Sequence, residues 1–149
     1  MFWKKSNSFY NQEEAAILQN AVQKNELHTS GEIRICVESR CYYIDPLDRA
    51  RELFYQLKMY ETKERNAILI YIAYKDKDFA IFGDAAIYNK EDAVKWKQES
   101  TLLAKHFHRS NFLEGLLTTI NNIGSILTLH FPNKGQQKNE LPDEIVFGK

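Results

Sequence analysis

The feature that most constrains the fold is a nearly unbroken apolar run from Ala67 to Tyr74, AILIYIAY. A run this short, apolar at both odd and even positions, is typical of a strand that is covered on both faces of its sheet. Four charged residues follow at 75–78, and a second apolar segment, 79–82, ends at Gly83-Asp84. So short a connection joins only antiparallel neighbours, because a parallel return needs a dozen or more residues. The sequence therefore predicts a hairpin in the middle of a sheet.

A strand and a helix precede this hairpin. Residues 32–38, EIRICVE, alternate strictly between polar and apolar side chains, which indicates a strand. Its polar face is interpreted either as solvated, with an ion pair between Glu32 and Arg34, or as part of a site. Asp45-Pro46 then opens a helix that runs to about residue 60, because Asp is a good N-cap and Pro fits the first helical position. Strand, helix and central strand together form one β-α-β unit with parallel strands.

Further helices supply the outer layers. The pattern predicts a helix to about Leu27 that begins at a capping box of Asn11 and Glu14, and two more over residues 91–108 and 111–131. The predicted fold class is α/β, a three-layer α/β/α sandwich with Rossmann-like layering around a short mixed sheet. We expect one domain over residues 1–149. An aromatic and basic N-terminal arm is expected at residues 1–10, and a C-terminal strap or mobile tail at residues 133–149.

Composition argues against several classes of protein. Lys+Arg and Asp+Glu both number 20, so the formal net charge is zero, which disfavours a nucleic-acid binder or a basic membrane-surface protein. No apolar stretch approaches the roughly 18 residues of a membrane span. Cys36 and Cys41 are expected to be reduced thiols, and no signal-peptide run is visible at the N-terminus, so we expect a cytoplasmic protein. We further expect a monomer that meets an unidentified protein partner.

Carboxylates gather at both ends of the predicted sheet. If the strands pair as proposed, Glu32, Asn66 and Asp84 lie at the same end, with Arg65 beside them. Hard divalent cations take several oxygen ligands, so this end is a candidate site for Ca²⁺ or Mg²⁺. A second candidate cluster gathers at the opposite end and consists of Glu38, Asp45, Asp48, Asp76 and Asp78.

Several catalytic motifs are missing from the sequence. There is no G-x-G-x-x-G and no Walker loop, so no nucleotide cofactor is expected. There is also no H-E-x-x-H. Cys36 lacks an Arg at the spacing of a thiolate phosphatase loop, and the segment after Asp76 lacks the hydroxyl residue of an aspartate-nucleophile phosphatase. No nucleophile in a familiar context is therefore predicted.

Five short segments, taken in order, resemble one family. They are SGEIR at 30–34, LDRA at 47–50, RNAIL at 65–69, GDAAI at 83–87 and NELPDEI at 139–145. Together they make the chain similar to the TPM-domain family, in its short, soluble bacterial branch. The resemblance implies a Rossmann-like α/β fold, and a role as an acid phosphatase, a calcium-binding module or an assembly or repair factor for membrane complexes. Many relatives carry Asp-Asn-Gly before the central strand, where this chain has Arg65-Asn66-Ala67.

Three functions stay open at this point. The first is a non-enzymatic TPM-type binding module that acts in protein interaction or assembly, with a divalent cation held by Glu32, Asn66 and Asp84. The alternative is a metal-assisted phosphomonoesterase at the same edge, in which Arg65 would stabilise charge that develops on the phosphoryl group. The third is an interaction domain that acts through the N-terminal arm or the C-terminal strap.

Overall fold

The sheet lies between helices on both sides in the computed structural model, which describes residues 11–108, 111–135, 140–142 and 144–148. The predicted N-terminal arm at residues 1–10 lies outside the described residues. The described elements are, in chain order, α1 (Gln12–Glu26), β1 (Glu32–Glu38), α2 (Pro46–Gln56), β2 (Ala67–Ala73), β3 (Asp78–Gly83), α3 (Ala85–Tyr88), α4 (Ala93–His108), α5 (Phe112–His130) and β4 (Val146–Phe147).

The sheet has the strand order β3-β2-β1-β4. Strands β1 and β2 are parallel, with Glu32 opposite Ala67, which confirms the β-α-β unit. Strands β2 and β3 are antiparallel, with Ile68 opposite Gly83, which confirms the central hairpin. The sheet is therefore mixed, as predicted, and β2 lies between two partners.

Each face of the sheet contributes to its own hydrophobic cluster. Ile33, Ile35 and Val37 of β1 belong to a cluster with residues of α1, α4 and α5. On the opposite face, Tyr71 of β2 packs in a cluster with Phe54 of α2. All seven residues of β2 are buried because helices cover both faces. The three-layer α/β sandwich predicted from the sequence is confirmed.

Local signals account for most of the helix boundaries. The predicted capping box of α1 is present, and Asp45 caps α2 by accepting the backbone N–H of Leu47 at 3.0 Å. By contrast, Asn111 precedes α5 without a side-chain capping hydrogen bond. Helix α2 ends at Gln56 rather than near residue 60, because Lys58 has a φ of 55° that a right-handed helix does not allow.

The C-terminal segment differs most from the prediction. Val146 and Phe147 form β4, a short strand that pairs in parallel with Cys36 and Val37 of β1. The described part of this segment thus adds a fourth strand to the sheet, which was not predicted. None of the helices in the described ranges is long and apolar enough to cross a membrane.

Small residues let α5 approach its neighbours closely. Gly115 of α5 lies against the side chain of His106 on α4, so that an added Cβ atom would overlap the His106 Cβ atom. Gly124 is in similar contact with Asn25 of α1. Helix α5 therefore packs between α1 and α4 at positions where the sequence provides no side chain.

The contact at Gly115 reverses the usual effect of replacing a helical glycine. Gly→Ala inside a helix normally stabilises it by about 1 kcal/mol, but overpacking costs about 1–3 kcal/mol. We expect Gly115→Ala to lower the free energy of unfolding by ~1–2 kcal/mol, measured by urea denaturation. The control is Ser125→Ala on the exposed face of the same helix, which should leave stability unchanged or slightly raised. A Gly115→Ala protein as stable as the parent would contradict this account of the packing.

Candidate functional site

The strand register brings Glu32, Asn66 and Asp84 to one end of the sheet, as predicted. Glu32 begins β1, Asn66 immediately precedes β2 and Asp84 immediately follows β3. All three side chains are buried, with exposures of 2%, 0% and 2% respectively. Their hydrogen-bond partners decide what this end can do chemically.

Glu32 holds the C-terminal segment against the sheet. Its Oε1 atom accepts the backbone N–H of Leu141 at 2.7 Å, and its Oε2 atom accepts that of Glu140 at 2.6 Å. Leu141 is itself buried in the cluster on the α2 side. The interpretation of the polar face of β1 as solvated is therefore wrong, because the C-terminal segment covers Glu32.

Asp84 forms a bidentate ion pair with Arg65. Arg65 Nε lies 2.7 Å from Oδ2, and a terminal guanidinium nitrogen lies 2.8 Å from Oδ1. These hydrogen bonds to Asp84 raise the pKa of Arg65, so the guanidinium stays charged. Asp84 Oδ1 also accepts the backbone N–H of Ala85 at 2.7 Å and so caps α3.

Asn66 has a different neighbourhood from either carboxylate. Its Nδ2 group donates to Ser30 Oγ at 3.1 Å. Its Oδ1 atom is buried and has no hydrogen-bond partner among the described residues. Among the described residues, the two carboxylate oxygens of Glu32 and the two of Asp84 each accept an N–H, whereas this amide oxygen accepts none.

The residues at this end do not fit a divalent cation as they are arranged. Each oxygen of Glu32 and Asp84 already accepts an N–H, and the charge of Asp84 is balanced by Arg65. A cation would have to displace these donors. Within the residues that the structure describes, no three His, Cys, Asp or Glu side chains are grouped so as to hold a metal ion. Cation binding here remains a prediction from the sequence.

The second predicted cluster is dispersed over separate partners. Asp48 pairs with Arg51 on the same helix, and Asp76 accepts from Arg40 and from the backbone N–H of Cys41. Burial, with a smaller contribution from Asp76, raises the pKa of Asp78. Asp45 caps α2, so these four of the five carboxylates each have surroundings of their own and do not form one shared site.

The fifth carboxylate, Glu38, anchors a buried polar network. Glu38 accepts two hydrogen bonds from Arg49, at 3.0 and 2.6 Å, and one from the Tyr71 hydroxyl at 2.8 Å. Arg49 also contacts Glu52, whose pKa is lowered by hydrogen bonds from Tyr43 and Arg49. Burial raises the pKa of the nearby Cys36 thiol to about 12, so it is protonated at neutral pH and is a poor nucleophile.

A cavity that sequence analysis missed lies beside β3. It has a volume of about 760 Å³ and opens between the start of α2 and helix α4. Leu47 of α2, Phe79 and Ile81 of β3 and Trp96 of α4 are among its lining residues. The sequence contains one indication of this cavity. Val94 and Leu102 of α4 are apolar but lie outside the buried stripe of the helix.

Comparisons with known proteins agree on the fold. A model of the TPM domain matches residues 5–126. The chain is similar to the BA42 protein of the psychrophilic bacterium Bizionia argentinensis, at 37% identity over 97% of this chain and 99% of that one, with a TM-score of 0.86. The N-terminal domain of the cg2496 protein of Corynebacterium glutamicum has a similar fold at 10% identity, over 94% and 95% of the two chains, with a TM-score of 0.62. The comparison with curated proteins gives no match.

The Glu32 contact yields a stability prediction. Glu32→Gln keeps the shape of the side chain but leaves one backbone N–H facing an amide nitrogen. A hydrogen bond to a charged group contributes about 1.5–3 kcal/mol, so we expect a loss of that order in the free energy of unfolding, measured by urea denaturation. Hydrogen exchange at residues 140 and 141 should also accelerate. The control, Glu61→Gln at an exposed position, should behave as the parent, and an unchanged Glu32→Gln protein would refute the assigned role.

The ion pair of Arg65 yields a prediction about cations. We expect millimolar Ca²⁺ or Mg²⁺ to leave the amide resonances of residues 32, 66 and 84 unshifted in the parent protein. The reason is that the Asp84 carboxylate is already paired with the Arg65 guanidinium. In Arg65→Gly the carboxylate is released, and glycine adopts the φ of 54° at this position freely. Localised shifts should then appear at residues 66 and 84. Shifts of equal size in the parent would establish the site predicted from sequence.

Proposed function

The chain belongs to the TPM-domain family, and we propose that it is a non-catalytic binding module whose ligand occupies the cavity between α2 and α4. The family match supports a conserved fold and leaves the activity open. The observation that carries the proposal is an apolar cavity of about 760 Å³ with exposed apolar side chains at its rim. Such concave apolar surfaces are the usual location of ligand sites.

The walls of the cavity have the character of a binding surface. Val94 and Leu102 of α4 line it and are 62% and 45% exposed. Trp96 is buried in its wall, and the indole N–H has no hydrogen-bond partner among the described residues. Apolar side chains that remain exposed around a concavity are typical of interaction sites.

The contacts of the charged residues at the Glu32 and Asp84 end of the sheet favour the binding module over a phosphatase. A metal-assisted phosphomonoesterase would use Arg65 and Asp84, yet these two side chains neutralise each other in a bidentate pair. Glu32 is engaged by the C-terminal segment. These contacts are typical of structural roles, so the phosphatase has weaker support than the binding module.

Two matched variants test whether a ligand enters the cavity. Thr101 lines the cavity on α4, and Thr118 is exposed on α5. Both threonine hydroxyls donate to the carbonyl four residues earlier, at 2.9 and 3.0 Å, so the two positions are locally equivalent. A tryptophan at 101 would fill the opening, whereas one at 118 would lie on an unrelated surface.

We expect anilinonaphthalene sulfonate, which is apolar and anionic, to bind the folded parent protein. Thr101→Trp should weaken this binding by about 10-fold, equivalent to ~1.4 kcal/mol, and Thr118→Trp should not. The same three proteins then serve as baits for partners. A partner kept by the parent and by Thr118→Trp but lost by Thr101→Trp would support the proposal. Equal probe binding by all three folded proteins would refute it.

A further inference from the structure

We propose that the ligand of this cavity is an extended, acidic peptide segment that adds to the free edge of β3 as a further strand of the sheet. This inference rests on the proposed function and goes beyond it by giving the ligand a backbone conformation and a charge. It starts from the hydrogen bonds of β3, which lies at one edge of the sheet and has β2 on its other side.

The ladder between β2 and β3 fixes which groups of β3 point outward. The backbone N–H of Asp84 donates to the carbonyl of Ala67 at 2.9 Å. Hydrogen-bonded pairs alternate along an antiparallel ladder, so Phe82 and Ala80 also direct their backbone groups toward β2. Phe79 and Ile81 consequently direct their N–H and C=O groups to the free edge. The next outward N–H, that of Gly83, contacts the Tyr88 hydroxyl at 3.4 Å, as this alternation requires.

The outward groups of Phe79 and Ile81 lack partners within the described part of the chain. Both residues line the cavity and are only 7% and 3% exposed. Native proteins pair nearly all buried backbone groups, so two adjacent donor–acceptor sets at the floor of a cavity are available to a partner that enters it. An extended backbone presents donors and acceptors with the same two-residue repeat, which makes it the complementary ligand.

Strand β3 lacks three of the features that commonly protect a free edge. Its sequence, DFAIFG, contains no proline and no lysine, and its pairing with β2 runs without a bulge. Proteins that must avoid pairing at such an edge commonly place these features in the strand itself. At the opposite side of the sheet, β1 is paired with β4, a strand of only two residues.

The cavity walls specify the side chains of the peptide. Side chains of an added strand alternate between the two faces of the sheet. One set would meet Trp96 and Ser100 of α4, and the other would meet Leu47 of α2 and Tyr88, all of which line the cavity. Small or apolar residues are therefore favoured where the peptide crosses the cavity.

The rim of the cavity specifies the charge. Lys97 and Lys105 lie on the α4 wall, are exposed and form no salt bridge with any described residue. Asp45 on the opposite wall uses its carboxylate to cap α2. With two lysines and one aspartate among the lining residues, the charge around the opening is positive on balance, which favours glutamate or aspartate in the peptide.

The test uses a capped hexapeptide of alternating Glu and Val. In its complex with the full chain, amide hydrogen exchange should slow at Phe79 and Ile81, while Ala80 and Phe82, already paired with β2, should change little. A Lys-Val hexapeptide, and a Glu-Val hexapeptide with N-methylated valines, should each bind about 10-fold more weakly. Lys97→Glu/Lys105→Glu should weaken binding of the Glu-Val peptide similarly, and the matched Lys24→Glu/Lys63→Glu pair should not.

The outcomes separate this inference from the proposed function. If the peptide displaces the sulfonate probe without protecting Phe79 and Ile81, strand addition is refuted and the binding cavity stands. If the peptide does not bind while the Thr101→Trp result holds, the acidic peptide is the wrong ligand. If sedimentation shows a dimer whose Phe79 and Ile81 amides are protected without peptide, a second copy occupies the edge and the peptide proposal is refuted.

Discussion

Seven consecutive buried residues in β2 determine where the other elements lie. A strand that is apolar on both faces must have a helical layer on each side and a partner strand at each edge. Helix α2 covers one face and α1, α4 and α5 cover the other. Strands β1 and β3 pair with the two edges of β2, and β4 extends the sheet beyond β1. The backbone of β2 is paired on one side by the short hairpin to β3, and β3 is therefore left at the edge of the sheet.

The elements that the sequence predicted are those whose signals are local. The alternation of β1, the apolar run of β2 and the cap at Asp45 each depend on neighbouring residues, and the β-α-β unit and hairpin follow from them. Strand β4 depends instead on two residues that pair with β1 more than a hundred positions earlier. No local pattern of two residues distinguishes a strand from a loop. The predicted α2 was too long because Leu57 fits the apolar stripe of the helix. The chain turns immediately after it, at Lys58.

The candidate site was harder to predict, because the partners of buried carboxylates are largely invisible in a sequence. Grouping Glu32, Asn66 and Asp84 at one end required only strand directions, and the structure confirms it. Whether such oxygens face a cation, an arginine or backbone N–H groups depends on atoms that distant segments supply. Glu32 receives its donors from residues 140 and 141, and their peptide groups would be available whatever their side chains were. The cavity beside β3 is similarly a property of the space between α2 and α4, which no single segment encodes.

The contact between Glu32 and the C-terminal segment also bears on the order in which the chain can fold during synthesis. The two backbone N–H donors follow Glu32 by 108 and 109 residues, so a growing chain contains all of β1, β2 and β3 long before they exist. Until then Glu32 lacks these two donors, and burying an ionised carboxylate costs more free energy when it accepts fewer hydrogen bonds. The contact that covers this end of β1 can therefore form only after residues 140 and 141 have been made. A chain shortened before residue 140 would lack the cover that these two backbone groups give to Glu32.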